Sequence, residues 1–274
     1  MVQVGSESLL DRSKSIKSHL MSLFPHGCAN VEGVDSYHAC YGGTASLLAC
    51  TNWVESEAWD KRWAVCVCTD VSDAPKQHLF LNGAAAVAML IGPDAPLALD
   101  GRRATHIEHE WDFYKPVGWP SMGPITDGPR SMQVYYRCLA SCQAELAAMG
   151  EGTFVDSHDY LVFHLGSSPK FVRHAFEQAV GAAYGEGAVS EGEMEERFKS
   201  KVAPSLELAS RIGPMHTSAV YVNLCSLLMH ASPAVGSKIG VFSFGSGAAS
   251  TMYRLVVRGT VRVDGAGLLE RLET

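Results

Sequence analysis

The 274-residue chain has no apolar run near the roughly 18 residues that suggest a membrane span. Its opening, "MVQVGSESLLDRSKS", lacks the apolar centre of a signal peptide. No segment is dense in lysine and arginine, and 22 basic residues stand against 29 acidic ones, a formal charge of −7. That balance offers neither nucleic acid nor an anionic bilayer an electrostatic footprint, so neither is an expected partner, and a cytoplasmic location is expected. Charged residues make up only 19% of the chain and hydrophobic ones 47%, enough to bury a real core in one large domain or two smaller ones.

Several motifs are missing too. The eight cysteines lie mostly inside apolar runs, without the regular spacing of a disulfide framework, and most are expected to be reduced core residues, Cys50, Cys66 and Cys68 among them. Cys138 and Cys142 stand one helical turn apart and "THIEHEW" supplies His106 and His109, but no CxxC pair accompanies them and no metal site is expected. There is no GxSxG, so a serine hydrolase of the elbow type has no nucleophile. "FGSGAAS" matches half of a dinucleotide fingerprint, but glycines serve any tight turn, and no nucleotide cofactor is expected.

What is present alternates between β and α patterns. "DRSKSIKSHLMSLF" places Ile16, Leu20, Leu23 and Phe24 on one helical face, and residues 31–39 should hold a strand leading to Cys40. "TASLLACTNWVES" reads as helix, and "RWAVCVCTD" and "AAAVAMLIG" as buried strands. Residues 98–130, rich in Gly, Pro, His and aromatics, read as loop, and Ser131 to Met149 as a long helix. A second series follows: "YLVFHLG" as strand, "PKFVRHAFEQAVGAAYG" and the acidic "EGEMEERFKS" as helices, "SAVYVNLCSLLMHA" as a buried helix, and "KIGVFSFGSG" with "TMYRLVVRG" as closing strands. Two α/β halves are implied, 1–150 and 151–274.

"HACYGGTASLLAC" sets Cys40 at a strand-to-helix turn. Gly42 and Gly43 let the backbone bend and a reactant approach, and helix N–H groups should stabilise a thiolate there. The position suits a nucleophile.

The blocks "VGSESLLDRSKSIK", "VEGVDSYHACYGGTASLLACTNWVES", "AVAMLIGPDAP", "WDFYKP" and "KIGVFSFGSGAASTMYRL" resemble, in order, those of the 3-hydroxy-3-methylglutaryl-CoA synthase family. The resemblance covers most of residues 4–257. It implies the thiolase-like fold, two similar halves in a five-layer αβαβα arrangement, and a homodimer. It also implies an acyltransferase of the mevalonate route to isoprenoids and sterols, condensing acetyl-CoA, acetoacetyl-CoA and water, with the coenzyme A thioesters as substrates and no cofactor. By the same resemblance Cys40 carries the acetyl group, Glu7 is the general acid/base and His164 positions the acetoacetyl substrate. Asp70, Asp112, Phe113, Lys170, Ser246 and Gly247 are expected to bind substrate, Lys170 through phosphate groups and the Gly245-Ser246-Gly247 loop, with the Cys40 N–H, through the thioester oxygen.

Departures accompany the matches. In "RIGPMHTSAVY" Pro214 stands where the resemblance implies an asparagine and His216 where it implies a tyrosine; proline has neither amide nor N–H. After Asp70, Ala74 and "HLFLNGAA" replace a tyrosine and an Arg-Pro-Thr-Gly-Gly run. The chain opens where the family pattern has already completed elements, so the first half is expected to be incomplete and to lack its central strand. The alternatives are a non-catalytic or weakened paralogue that binds acyl-CoA or pairs with a full-length synthase, and a related ketoacyl-forming synthase, against which the DFYKP block argues.

Overall fold

The computed structural model describes residues 1–73, 81–118, 123–166 and 168–263. Ala74 and residues 78–80 of the run after Asp70 lie outside them.

The first sheet is built from β1 (Val2–Gly5), β2 (Asp35–Ser36), β3 (Ala64–Ser72) and β4 (Gly83–Ile91), in the order β2-β1-β3-β4. β1 runs parallel to both neighbours, and β4 closes antiparallel on β3. The expected gap at a central strand is therefore corrected: the ladder is continuous, with β1 filling the interior. The second sheet has the order β5-β10-β9-β8, from β5 (Leu97–Ile107), β8 (Tyr160–Phe163), β9 (Lys238–Gly245) and β10 (Ala249–Val257). Two strands of two residues each, β6 (Phe113–Tyr114) and β7 (Ile125–Thr126), pair as a separate ribbon.

β8 is parallel to β9, and β9 is antiparallel to β10, repeating the relation of β1, β3 and β4. In each half a helix precedes the second of these strands: α2 (Gly42–Val54) before β3 and α7 (Ala219–His230) before β9. Both lie between the sheets, where Leu47, Cys50 and Trp53 of α2 meet Tyr221, Leu224 and Leu227 of α7 and Cys66, Cys68, Val162 and Val241 of the strands. α3 (Gly128–Ala148) and α4 (Pro169–Tyr184) cover the other face of the second sheet through Tyr135, Leu139, Val172 and Phe176 against Phe163, Phe242 and Met252. Two further helices, α5 (Glu191–Lys201) and α6 (Ala209–Ile212), complete the second half. α1 (Ile16–Leu20) is one short turn capped by Ser15, its N–H groups at Ile16 and Lys17 donating to Asp35. It buries no side chain, so the expected longer amphipathic helix is not formed.

Three other expectations change. Residues 97–107 are a strand, because β10 supplies an antiparallel ladder, broken by one register shift between Tyr253 and Leu255, to a segment whose own side chains are mostly half-exposed. β4 is an edge strand whose Ala84, Ala86, Ala88 and Leu90 are exposed, and only Ala85, Val87, Met89 and Ile91 pack inward. The sheets divide between Ile91 and Leu97, so β5 and α3, inside the expected 1–150 half, pack with the second sheet. Among the described residues no helix is long and apolar enough to cross a membrane.

Candidate active site

The two halves bring equivalent points of their chains together. Glu7 follows β1, Cys40 precedes α2, His164 follows β8, and His216 precedes α7. Close backbone approach makes this possible: a Cβ on Gly5 would lie 2.4 Å from the Gly43 Cα, and one on Gly43 would lie 2.7 Å from the Thr217 carbonyl oxygen. Only glycine at both positions lets β1, α2 and the turn before α7 converge.

Asp70, on β3, ties the turns in place. The Ser6 hydroxyl and the Glu7 and Ser8 N–H groups donate to its Oδ1 at 3.0, 2.9 and 2.9 Å. The Thr217 N–H donates to Oδ2 at 2.8 Å, and the Thr217 hydroxyl donates to the same oxygen. Both oxygens are thus engaged by the protein and the residue is buried, so Asp70 positions the site and does not present the substrate contact expected of it. Ala39 (φ 41°) and His216 (φ 46°) both adopt the left-handed region. Such backbone costs about 1–3 kcal/mol and persists only where surroundings hold it, which here includes the Asp70 network beside His216.

The Cys40 thiol donates toward Glu7 Oε2 at 3.6 Å and lies 3.7 Å from His216 Nδ1. His216 Nδ1 is 3.5 Å from Glu7 Oε1, and Lys115 Nζ is 2.9 Å from the same oxygen. The Glu7 side chain is only 6% exposed, which meets the need for a desolvated base. Phe113 sets its ring edgewise to His216, 5.9 Å between centroids, and lies under the Lys115 ammonium. Burial, then the Glu7 and Asp70 carboxylates, push the Cys40 thiol well above its usual range. This corrects the expected helix-stabilised thiolate: Cys40 lies outside the helix, with Tyr41 at its N-cap, and burial beside two carboxylates outweighs the helix end.

His164 is buried with Nδ1 unpartnered, and its pKa is lowered to about 3, by burial first and His216 second. It is a neutral imidazole. Asp112 is wholly buried; its Oδ1 accepts the Gly247 N–H at 2.9 Å, so it holds the glycine loop, while Oδ2 has no partner. That loop presses on the Cys40 turn, since a Cβ on Gly245 would lie 2.4 Å from the Tyr41 nitrogen. Ser246 meets the Ser131 hydroxyl at 3.4 Å. Lys170 is exposed in the first turn of α4.

Matching family models describe the N-terminal part of hydroxymethylglutaryl-coenzyme A synthase over residues 1–96 and the C-terminal part over 97–184 and 187–268. The chain belongs to the hydroxymethylglutaryl-CoA synthase family. It is 36% identical to the hydroxymethylglutaryl-CoA synthase-like protein AKT4-1 of Alternaria alternata, over 95% of this chain and 73% of that protein. It is 37% identical to the mitochondrial hydroxymethylglutaryl-CoA synthase of Sus scrofa, over 93% of this chain and 59% of that one. The solved structure of MvaS in complex with 3-hydroxy-3-methylglutaryl coenzyme A superposes with a TM-score of 0.81 at 30% identity, covering all of this chain and 68% of that one. The fold expected from the resemblance, thiolase-like with two similar α/β halves, and the assignment to a family of acyl-CoA-using transferases therefore stand. The cytoplasmic expectation does not: the relatives from pig, human, rat, mouse and cattle, all 36–37% identical, are mitochondrial.

Two residues of the cluster were not among the expected ones. His216 showed only as a departure from the family pattern, and Lys115 lies inside the "WDFYKP" block without having been singled out. The signal for His216 was the duplication: it holds, ahead of α7, the place Cys40 holds ahead of α2.

Proposed function

We propose that this chain condenses acetyl-CoA with acetoacetyl-CoA and water to give 3-hydroxy-3-methylglutaryl-CoA through an acetyl-Cys40 intermediate. The observation that carries this reading is the Cys40 thiol within 3.6–3.7 Å of both the Glu7 carboxylate and the His216 imidazole. Because burial disfavours a standing thiolate, the thiol proton leaves as sulfur attacks the acetyl carbonyl, passing to Glu7 or His216 and then to the departing CoA sulfur. The Cys40 N–H and the Gly245–Gly247 loop serve the thioester oxygen.

Glu7 next takes a proton from the acetyl methyl, and the carbanion attacks the ketone of acetoacetyl-CoA. His164, neutral and with an unpaired Nδ1, orients that ketone by one hydrogen bond. The resulting alkoxide takes a proton from the Glu7 and His216 pair, and water hydrolyses the Cys40 thioester. Lys115 holds Glu7 in place from the solvent side. Lys170 suits coenzyme A phosphates as an exposed cation at a helix start. The two halves expected as 1–150 and 151–274 serve the site together with their division moved to the segment between Ile91 and Leu97, so that β5 and α3 belong to the second. A homodimer fits the exposed apolar Val34 and Tyr37 beside the edge strand β2.

Pro214 favours a second reading, a non-catalytic paralogue. It lacks the amide the family pattern places there, and its carbonyl packs against Gly83 of β4. Intact-mass analysis after mixing with acetyl-CoA decides between them. We expect one acetyl group on the wild type and none on Cys40→Ser. Acetylation that persists in Cys40→Ser would remove Cys40 as nucleophile, and an unacetylated wild type would leave the non-catalytic reading.

A further inference from the structure

We propose that Glu7, Cys40 and His216 form a three-ligand site for Zn²⁺, and that metal bound there blocks acyl transfer to Cys40. A thiolate, an imidazole nitrogen and a carboxylate oxygen are the donor types zinc prefers, and three protein ligands leave a fourth position open. Here one donor atom from each residue lies within 4.8 Å of the other two. The separations also fit. Zinc bonds of about 2.3 Å to sulfur and about 2.0–2.2 Å to nitrogen and oxygen, held at the tetrahedral angle, set S and N about 3.6 Å apart, S and O about 3.6 Å, and N and O about 3.4 Å. The observed contacts are 3.7 Å for Cys40 Sγ to His216 Nδ1, 3.6 Å for Cys40 Sγ to Glu7 Oε2 and 3.5 Å for His216 Nδ1 to Glu7 Oε1; the thiol and the imidazole meet different carboxylate oxygens, so a small turn of the Glu7 carboxylate would complete the triangle on one of them.

Asp70 already holds the backbone at Glu7 and at Thr217, next to His216, so little ordering of those two ligands opposes binding. A tyrosine at 216, as in the pattern the chain resembles, would leave Cys40 and Glu7 as a weaker pair of donors. Binding requires Cys40 as thiolate: the S–H proton is released to solvent as the S–Zn bond forms, and the lone pair that would attack a thioester is then committed to the metal. One group opposes the metal. The Lys115 ammonium, 2.9 Å from Glu7 Oε1, competes for that carboxylate. His106, Glu108 and Cys138 make a second cluster of the same types, but Arg137 already occupies its carboxylate in a fork.

The test is binding of Co²⁺ and Zn²⁺ to the full chain, which does not depend on the proposed condensation. Co²⁺ should give a near-ultraviolet thiolate-to-metal band and the visible bands of a four-coordinate ion, and Zn²⁺ should displace it. His216→Tyr and Cys40→Ala should each weaken Zn²⁺ by about 100-fold or more, measured against a chromophoric chelator. Lys115→Met should tighten it by about 10-fold, and Cys138→Ala should leave it unchanged. In the wild type alone, Zn²⁺ should protect Cys40 from alkylation, read by peptide mass, so the proposal does not hang on the variants folding. Absence of the thiolate band, an undiminished affinity in His216→Tyr, loss of binding in Cys138→Ala, or alkylation of Cys40 at saturating Zn²⁺ would each overturn it.

Discussion

Two clusters among the described residues are built from the same residue types, yet their carboxylates are engaged in different ways. In Glu7, Cys40 and His216 the carboxylate is shared among a thiol, an imidazole and a lysine, at the ends of strands where both halves meet. In His106, Glu108 and Cys138 the carboxylate faces Arg137, whose Nε lies 3.0 and 3.1 Å from its two oxygens and whose Nη2 lies 2.7 Å from Oε1. That guanidinium holds Glu108 below the usual carboxylate range, and burial, with Glu108 second, pushes the Cys138 thiol up to about 12. A planar, permanently charged fork saturates a carboxylate, whereas a single ammonium leaves it free to take a proton from a neighbour.

The largest test of this contrast exchanges each carboxylate for a methyl group. Glu7→Ala should lower condensation by about 100-fold or more, the scale of a lost general base, while acetylation of Cys40 persists more slowly because His216 remains within reach of the thiol. Glu108→Ala should leave condensation within about twofold. Single-turnover mixing of preacetylated protein with acetoacetyl-CoA, following loss of the enolate absorbance, reads both. Equal rates for Glu7→Ala and wild type would place the base elsewhere.

Much of the fold was legible because burial writes itself into periodicity. β3, β9 and β10 and helices α2, α3, α4 and α7 carry apolar patterns long enough to declare their type. β5 was not legible, since its ladder is supplied by β10, 140 residues and more away, and its half-exposed side chains leave a mixed pattern. The length of α1 was hidden for the opposite reason: it has apolar residues at helical spacing and nothing to bury them against. In the site, Glu7 and Cys40 stand in blocks that match the family while His164 stands in a partial match, where Leu165 and Gly166 replace a Ser-Pro pair, and the structure brings the first two into direct contact. The resemblance marks Asp70 and Asp112 as substrate contacts, and a block match does not say whether the protein already occupies a carboxylate: both oxygens of Asp70 are engaged, whereas Asp112 gives one to the Gly247 N–H and keeps the other without a partner. His216 was read as a departure because its meaning depends on Cys40 and Glu7, far away in the chain.

Histidines sharpen the comparison at intermediate scale. His216 and His106 each lie beside a carboxylate, whereas His164 and His158 do not pair with one. His158 is held neutral between the Phe154 carbonyl at Nδ1 and the Arg254 guanidinium at Nε2; burial, against the help of Phe154 and with that of Arg254, lowers its pKa to about 4. With folded pKa values of about 4 and about 3 against about 6.5 unfolded, the unfolded chain binds more protons in that interval. Stability is therefore full above the unfolded value and falls as pH drops below it. Between pH 6.5 and 5.5 each residue should cost about 1 kcal/mol. Urea unfolding at the two pH values should show the loss, and His158→Gln should remove about half of it; a pH-independent midpoint would mean that neither histidine is held neutral.

The smallest effect belongs to Arg137. Its side chain is 47% exposed and that of Glu108 23%, so solvent screens the pair, and Arg137→Ala should cost no more than about 1 kcal/mol at neutral pH, less in high salt. Because Glu108 titrates below its unfolded value in the folded chain, the contribution is present above that unfolded value and is lost as pH falls through the folded one. Unfolding free energies of Arg137→Ala and wild type should accordingly converge in acid, with condensation unchanged at neutral pH. If Arg137→Ala instead slowed condensation, the effect would run through Glu110, which Arg137 also holds at 2.8 Å and whose N–H donates to the Gly247 carbonyl of the glycine loop. The two clusters would then be coupled through that loop, and the arginine fork would be positioning the loop as well as holding its own carboxylate.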